Sequence, residues 1–332
     1  MLLSLTLNIF FTQLITHRKM GELINIAFLY PASGISPHPS HLAWAKSVGA
    51  RVVETPMGVG RFDQSKLKGS DLLILESLYC APFARRYKKE NPECKVISII
   101  ADTSFWSERL SILRKIYYRR YLPIVDGFIA VSERIKRDIQ NYVSKPVEVV
   151  RPFLVNKFRP RKRVFEREIL FIGNEAKEKG YGNLVKSMDY LPDFELFLVG
   201  DCYRKVRARK PNIHVEGRVP KLDPYLEKCS IYAHPADFDP CPVSVWEAMY
   251  AGLLPIITKG VGQSELFSGD LERLVLEKND PKSIADKIQE VYSIPDKRKL
   301  IKECMKLSEN HTREKSIARF KKSFYQLLQE LD

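Results

Sequence analysis

The chain has 332 residues, 45% of them hydrophobic and 28% charged, enough apolar material for the cores of two domains. Its formal net charge of +14 is uneven: residues 1–160 hold 24 Lys+Arg against 13 Asp+Glu, a net of +11, and the remainder holds 30 against 27, a net of +3. Six cysteines (80, 94, 202, 229, 241 and 304) form no CxxC pair and no framework spacing, which excludes a disulfide scaffold and reads as reduced cytosolic thiols.

Met1–Thr16 is apolar but has no basic segment before it and is interrupted by Asn8, Thr12 and Gln13, so it is a poor signal peptide and too short for a comfortable membrane span. Residues 1–19 are read as an extension ahead of a start at Met20, with a weak membrane anchor as the alternative. Strands are expected at Ile24–Leu29, Val52–Glu54, Leu72–Leu75, Val96–Ile100 and Gly127–Val131, with helices between them. That alternation argues for a parallel, doubly wound sheet in residues 20–155. Pro31-Ala32-Ser33-Gly34-Ile35-Ser36 is the loop after the first strand; Ser33 and Gly34 either present backbone N–H groups to a phosphate or acceptor or form a plain turn. The run Arg159-Pro160-Arg161-Lys162-Arg163 marks a boundary. A second alternating region follows in residues 156–312, with strands at Ile169–Gly173, Phe194–Asp201 and Ile213–Val219, the last two ending in glycine turns. Residues 313–332 carry apolar side chains at helical spacing.

The densest chemistry lies in Tyr225–Glu265. Val245–Ala251 reads as a short helix that Pro240 and Pro242 keep from extending backwards and that Gly252 ends. Leu253–Thr258 reads as a buried strand, with Pro255 at its start or on an edge. The first N–H groups of the helix, at Val243, Ser244 and Val245, lack intrahelical partners and suit phosphate. Asp239 in the loop and Glu247 one turn into the helix would approach the same ligand, Glu247 towards a ribose and Asp239 towards sugar hydroxyls. A nucleotide sugar fits such a set. From spacing alone, a solvated helix glutamate and a turn aspartate are equal alternatives.

The segment PADFDPCPVSVWEAMYAGLLPIIT resembles the donor-site signature of retaining glycosyltransferases with the GT-B fold, glycosyltransferase family 4 (glycosyl transferases group 1). Pro235, Glu247, Ala248, Met249 and Gly252 match it, and Asp239 stands in place of its first glutamate. Ile169–Gly173 followed by Glu178-Lys179-Gly180 resembles the family's first donor-domain strand and loop. Lys179 fits the diphosphate lysine, and Asn174 stands where an arginine is expected. Gly200, Arg218 and Val219 match positions whose backbone receives the nucleotide base. Gly262-Gln263-Ser264-Glu265 resembles a Gly-Gly-x-x-Glu turn, with Gln263 off the pattern. Asp102 occupies the place after the fourth strand where many relatives carry a histidine.

The resemblance implies an α/β protein with two Rossmann-like doubly wound parallel-sheet domains facing a cleft, and a C-terminal helix returning to the first domain. It implies transfer of a hexose-type sugar, with retention, from a UDP- or GDP-linked donor to a lipid, glycan or small-molecule acceptor, and no required cofactor. The implied catalytic residues are Asp239, Lys179 and Asp102. The implied donor site adds Gly173, Asn174, Gly200, Arg218, Val219, Val243, Ser244, Val245 and Glu247. Asp237-Phe238-Asp239 matches an Asp-x-Asp metal pattern, but it follows a strand of the second domain, where the GT-B site uses a helix and cations; no required metal is expected. The six histidines lack metal-ligand spacing. A dinucleotide oxidoreductase fails for want of G-x-G-x-x-G after the first strand.

Two other classes stay open. A non-catalytic nucleotide-sugar-binding or scaffolding relative is favoured by Asn174, Asp239 and Asp102, and opposed by Lys179, Glu247 and the bare helix N-terminus. A nucleic-acid-binding protein is suggested only by the basic runs Arg85-Arg86-Tyr87-Lys88-Lys89 and Arg114-Lys115-Ile116-Tyr117-Tyr118-Arg119-Arg120-Tyr121. Those runs also fit a solvated face or an anionic membrane surface. The expected location is cytoplasmic, with peripheral attachment at the inner face of the membrane as an extension of that reading.

Overall fold

The computed structural model describes residues 24–34, 37–57, 60–106, 111–159, 164–174, 176–201 and 210–331. The readings of the extension 1–19, of Met20 and of Pro160–Arg163 fall outside these residues.

The first sheet has six parallel strands: β1 (Ile26–Pro31), β2 (Arg51–Thr55), β3 (Leu72–Leu75), β4 (Lys95–Ile100), β5 (Gly127–Ala130) and β6 (Val147–Val149), in the order β2-β1-β3-β4-β5-β6. Its central strand β3 is Leu-Leu-Ile-Leu, all buried, as a parallel strand covered on both faces by helices requires. β1 lies two residues further along than its apolar run suggests, because Tyr30 and Pro31 pair with Glu54 and Thr55. The helices are α1 (Pro39–Ser47), α2 (Ala81–Glu90), α3 (Ile112–Tyr121) and α4 (Glu133–Gln140). Each starts on a local signal. Proline stands in the first turn of α1 and α2, while the Ser111 and Ser132 hydroxyls accept the N–H groups of Arg114 and Ile135 at the heads of α3 and α4.

The second sheet is also parallel: β7 (Glu168–Asn174), β8 (Glu195–Asp201), β9 (Ile213–Gly217), β10 (Ile231–His234), β11 (Leu254–Thr258) and β12 (Val275–Leu276), in the order β12-β11-β10-β7-β8-β9. Helices α5 (Tyr181–Ser187), α6 (Asp223–Lys228), α7 (Val243–Tyr250) and α8 (Pro281–Tyr292) connect or flank these strands. Pro255 is tolerated inside the sheet because β12 pairs only with Ile257 and Thr258, so the flank of β11 beside Pro255 is open. α7 ends in a Schellman turn: Gly252 has φ 84°, its N–H donates to Met249 O, and Leu253 N–H donates to Ala248 O.

Helices α9 (Arg298–Ser308) and α10 (Arg313–Leu331) close the chain. α10 lies on the first sheet's unit. Trp44 of α1 stacks on Phe320 with ring centroids 5.5 Å apart, Trp44 Nε1 donates to Ser316 Oγ at 3.0 Å, and Ser316 Oγ donates to Arg151 O. The chain is therefore α/β, with two Rossmann-like units facing one another.

Candidate donor site between the two sheets

In an open parallel sheet the connections leave in opposite directions on either side of one strand pair, which opens a crevice beyond the carboxyl ends there. In the second sheet that pair is β7 and β10. Lys179 lies in the loop after β7, and Asp239 in the loop after β10. The structure brings them into an ion pair between Lys179 Nζ and Asp239 Oδ2.

His234, the last residue of β10, donates to the same oxygen through Nε2 at 2.8 Å. Both His234 and Asp239 are buried, 1% and 4% exposed. Burial acts to raise the Asp239 pKa, but the Lys179 charge and the His234 hydrogen bond outweigh it and lower it to about 2. Burial also lowers the His234 pKa, so this imidazole stays neutral with Nε2 protonated. Its Nδ1 is 3.3 Å from the Tyr232 hydroxyl, which is 2.8 Å from Ser244 Oγ in the first turn of α7. A continuous polar chain thus links the lysine loop to the helix N-terminus.

Two glycines permit this proximity. Gly180 has φ 74°, and a Cβ there would fall 1.9 Å from Pro235 O; at Gly262 a Cβ would fall 1.8 Å from Pro240 O. Backbone meets backbone on both sides of the Asp239 loop. The peptide of Asp239 is pinned as well, its N–H donating to Gly260 O and its carbonyl accepting from Gly262 N–H.

At the head of α7, Pro242 is the cap and makes no side-chain cap bond. Val245 differs from its expected role as a ligand donor: its N–H donates to Pro242 O at 3.2 Å, and its side chain is fully buried. Val243 and Ser244 hold the two outermost N–H groups. Gln263, off the family pattern, is buried and donates through Nε2 to Pro242 O at 2.7 Å, which fixes this helix end.

Glu247 is buried, and burial raises its pKa. Its carboxylate accepts the N–H groups of Val155 and Asn156 in the connection between the two units, the latter at 2.8 Å. In this conformation it anchors the connection. Asn174 Oδ1 accepts Ala176 N–H at 3.1 Å and closes its own turn. Gly173 and Gly200 pair in register at the ends of β7 and β8. Arg218 forms a bidentate ion pair with Asp201, the last residue of β8, and Val219 follows half-buried. Asp237 accepts from Asn279 Nδ2 at 2.7 Å, so Asp237 and Asp239 are held by separate partners.

From the first sheet, Asp102 Oδ1 accepts Ser104 N–H and its Oδ2 accepts the Ser77 hydroxyl at 3.2 Å. This loop meets the loop after β10 through aromatic rings. Trp106 stacks on Phe238 with centroids 5.0 Å apart and planes 14° apart, and the Arg134 guanidinium lies 4.7 Å from the Phe238 ring centre. Glu265 reinforces the closure: it ion-pairs with Arg151 and accepts the N–H groups of Glu133 and Arg134 at the head of α4. Ser33 and Gly34 are exposed on the loop after β1, where Gly34 has φ 75° and Ser33 N–H donates to Pro31 O.

Sequence reasoning missed His234, Glu76 and His41. Glu76 follows β3, at the corresponding crevice of the first sheet between β1 and β3. Its Oε1 accepts His38 N–H and lies 3.2 Å from His41 Nδ1, while its Oε2 is buried without a partner. Each of the three is legible only as a polar residue at or next to the carboxyl end of an apolar strand, or one turn into the following helix.

Two facing Rossmann-like units, with a cation, a paired carboxylate and a helix N-terminus at the switch point of the second, define a GT-B fold. Residues 155–311 match the family model described as Glycosyl transferases group 1. No curated protein matches the sequence. Among solved structures, HepE of Anabaena, in complex with UDP and glucose, is similar over 92% of this chain and 99% of that one (TM-score 0.74, 13% identity). Sucrose-phosphate synthase from Thermosynechococcus elongatus is similar over 92% and 100% (TM-score 0.75, 14% identity). A glycosyltransferase from Rickettsia africae ESF-5 is similar over 92% and 99% (TM-score 0.71, 15% identity). At these identities the likeness shows the fold.

Proposed function

We propose that this glycosyltransferase moves a hexose-type sugar from a nucleoside-diphosphate sugar, UDP- or GDP-linked, to a hydroxyl-bearing acceptor with retention of anomeric configuration. The observation that carries this reading is the buried Asp239 clamped between Lys179 and His234 at the switch point, beside the open N-terminus of α7. Lys179 spends one of its three N–H donors on Asp239 and has two for diphosphate oxygens. Val243 and Ser244 N–H groups face the same anion. The leaving diphosphate gains charge as the glycosidic bond breaks, so fixed cations and dipoles favour that state over the ground state. Asp239, ionised and oriented, accepts hydroxyl protons of the donor sugar. Glu247 serves the ribose once the connection residues Val155 and Asn156 release it. The acceptor enters along the first sheet, where Asp102, Ser33 and Gly34 line the approach. Attack on the face the diphosphate leaves, with a phosphate oxygen taking the acceptor proton, gives retention.

No metal is required in this reading, because the ammonium of Lys179 already neutralises Asp239 and Asp237 is held by Asn279. Relatives such as HepE, solved with UDP and glucose, support a UDP-linked donor. A second reading, nucleotide-sugar binding without turnover, is favoured by Asn174, whose side chain closes its own turn where an arginine would offer charge.

The test is thermal stabilisation by UDP, GDP, ADP and their sugar conjugates, beside Lys179→Ala. A ligand at about a hundred times its Kd stabilises by about 2.7 kcal/mol. A shift with one nucleotide family, lost in Lys179→Ala, supports the donor site. Donor turnover that accompanies binding separates transfer from binding alone, and no shift with any nucleotide sinks both readings.

A further inference from the structure

A chain of polar groups joins the head of α7 to the lysine loop. Ser244 Oγ, half-buried in the first turn of α7, stands 2.8 Å from the Tyr232 hydroxyl, and that hydroxyl stands 3.3 Å from His234 Nδ1. His234 Nε2 donates to Asp239 Oδ2 at 2.8 Å, and the same oxygen holds Lys179. Tyr232, His234 and Asp239 are 0%, 1% and 4% exposed, so solvent meets the chain at its two ends, Ser244 and Lys179.

Counting protons fixes the direction of the chain. His234 is neutral and spends its one N–H on Asp239, so Nδ1 is bare and accepts. The Tyr232 O–H points inward, to Nδ1 or to Ile172 O at 3.4 Å. Ser244 closes its contact with Tyr232 by donating to it, so in this arrangement the Ser244 proton points away from the crevice. A diphosphate at the head of α7 requires the opposite. Its oxygens only accept, and Ser244 reaches them by turning a proton outward. The Ser244 oxygen then accepts from Tyr232, and the Tyr232 oxygen from Nδ1. The reversed chain holds one proton more than the first. Ser244 takes a proton from solvent and passes its own to Tyr232, and Tyr232 passes its own to Nδ1. Each hydroxyl ends with one proton and the imidazole with two N–H groups.

The groups around the ring are Asp239 and Lys179, the Tyr232 hydroxyl, and Phe171 of β7, which stacks on it with centroids 5.6 Å apart; Glu247 of α7 acts on Tyr232. Burial and the Lys179 charge oppose an imidazolium, and Asp239 favours it. The negative charge of a diphosphate shifts that balance towards the imidazolium. We propose that Tyr232 and His234 are positioning residues for sugar transfer: a diphosphate engaging Ser244 reverses the chain, His234 takes up one proton, and the resulting imidazolium stands beside Asp239 and Lys179 as the leaving group gains charge. The added charge offsets the one missing at Asn174, where an arginine is expected. Release of the nucleoside diphosphate resets the chain and returns the proton. The inference rests on the donor reading of this crevice.

The experiment is calorimetric titration of the full chain with UDP and with GDP, from pH 8 to pH 6, in buffers of different ionisation enthalpy. The buffer dependence of the heat counts the protons taken up. Wild type should take up a fraction of a proton that approaches one as pH falls, and its affinity should rise by up to about tenfold per pH unit. The nucleotide's terminal phosphate titrates at about pH 6. Tyr232→Phe keeps the ring and breaks the chain, so the difference from wild type removes that contribution. Tyr232→Phe, Ser244→Ala and His234→Gln should bind nucleotide with the extra uptake gone; glutamine keeps an N–H for Asp239 but does not titrate. Ser244 is half-buried, so Ser244→Ala carries the test where a buried variant fails to fold. Nucleotide binding without proton uptake overturns the proposal, and so does uptake that Tyr232→Phe and Ser244→Ala leave unchanged. Both of those outcomes leave the donor reading standing, whereas no heat and no thermal shift with either nucleotide sinks the donor reading and this inference together.

Discussion

Lys179 faces a buried carboxylate on one side and the open crevice on the other. Its ammonium offsets the cost of burying Asp239, and His234 supplies a neutral donor to the same oxygen. Lys179→Ala leaves that carboxylate short of a partner. It should destabilise by about 1–3 kcal/mol, and the double variant Lys179→Ala/Asp239→Asn by less than Lys179→Ala alone. Urea denaturation of wild type, Lys179→Ala, Asp239→Asn and the double variant measures this; additive losses would mean that the pair does not interact. The Asp239 pKa is lowered on folding, so its stabilising contribution is complete above the unfolded value of 3.8 and is lost as pH falls towards about 2. Asn174 permits a test of the loop from the other direction. Asn174→Arg removes the bond to Ala176 N–H but restores a cation at the expected place. Nucleotide affinity, read by calorimetry, should hold or rise, whereas a large loss would mean the residue does not face the diphosphate.

Elements reach the site by close backbone contact. The loop after β7 passes under the loop after β10 only because residue 180 has no side chain. Gly180→Ala places a methyl group against Pro235 O in a left-handed conformation, and the strained backbone alone costs about 1–3 kcal/mol. Its midpoint in urea should fall accordingly, and nucleotide binding should weaken along with it. Between the two units, Trp106 and Phe238 hold the cleft shut with Arg134. Trp106→Ala should raise the radius of gyration seen by small-angle scattering and lower nucleotide-dependent stabilisation. An unchanged radius would show that Glu265, Arg151 and α10 suffice for closure.

Across the whole molecule, His311 ties three parts together. Its ring stacks on Trp246 of α7 at 3.9 Å, its carbonyl accepts Leu154 N–H from the connection, and only Thr312 separates it from the start of α10. Burial lowers its pKa from 6.5 to about 3. A histidine buried neutral takes up a proton first in the unfolded chain, so its contribution is complete above pH 6.5 and is lost as pH falls towards about 3. Each such histidine makes stability fall by about 1.4 kcal/mol per pH unit within that window. His234 acts in the same direction. Denaturation midpoints measured from pH 7.5 to pH 4.5 should decline, and His311→Phe should flatten the decline; a slope unchanged by that variant would place the acid sensitivity elsewhere.

The sequence by itself determined the two alternating strand–helix regions, the helix that starts after Pro242 and stops at Gly252, and Asp239, Glu247 and Lys179 as polar residues at the ends of apolar elements. Those features are local: periodicity, capping and proline geometry act within a few residues. Only the tertiary structure paired Lys179 with Asp239 across sixty positions, brought His234 under that pair, turned Glu247 towards the connection, and buried Tyr118 and Tyr121 while leaving Ile112, Leu113 and Ile116 in water. Which side chains meet, and which face of an amphipathic helix is covered, follows from how two sheets and the returning α10 close on one another, and spacing along the chain does not encode that closure.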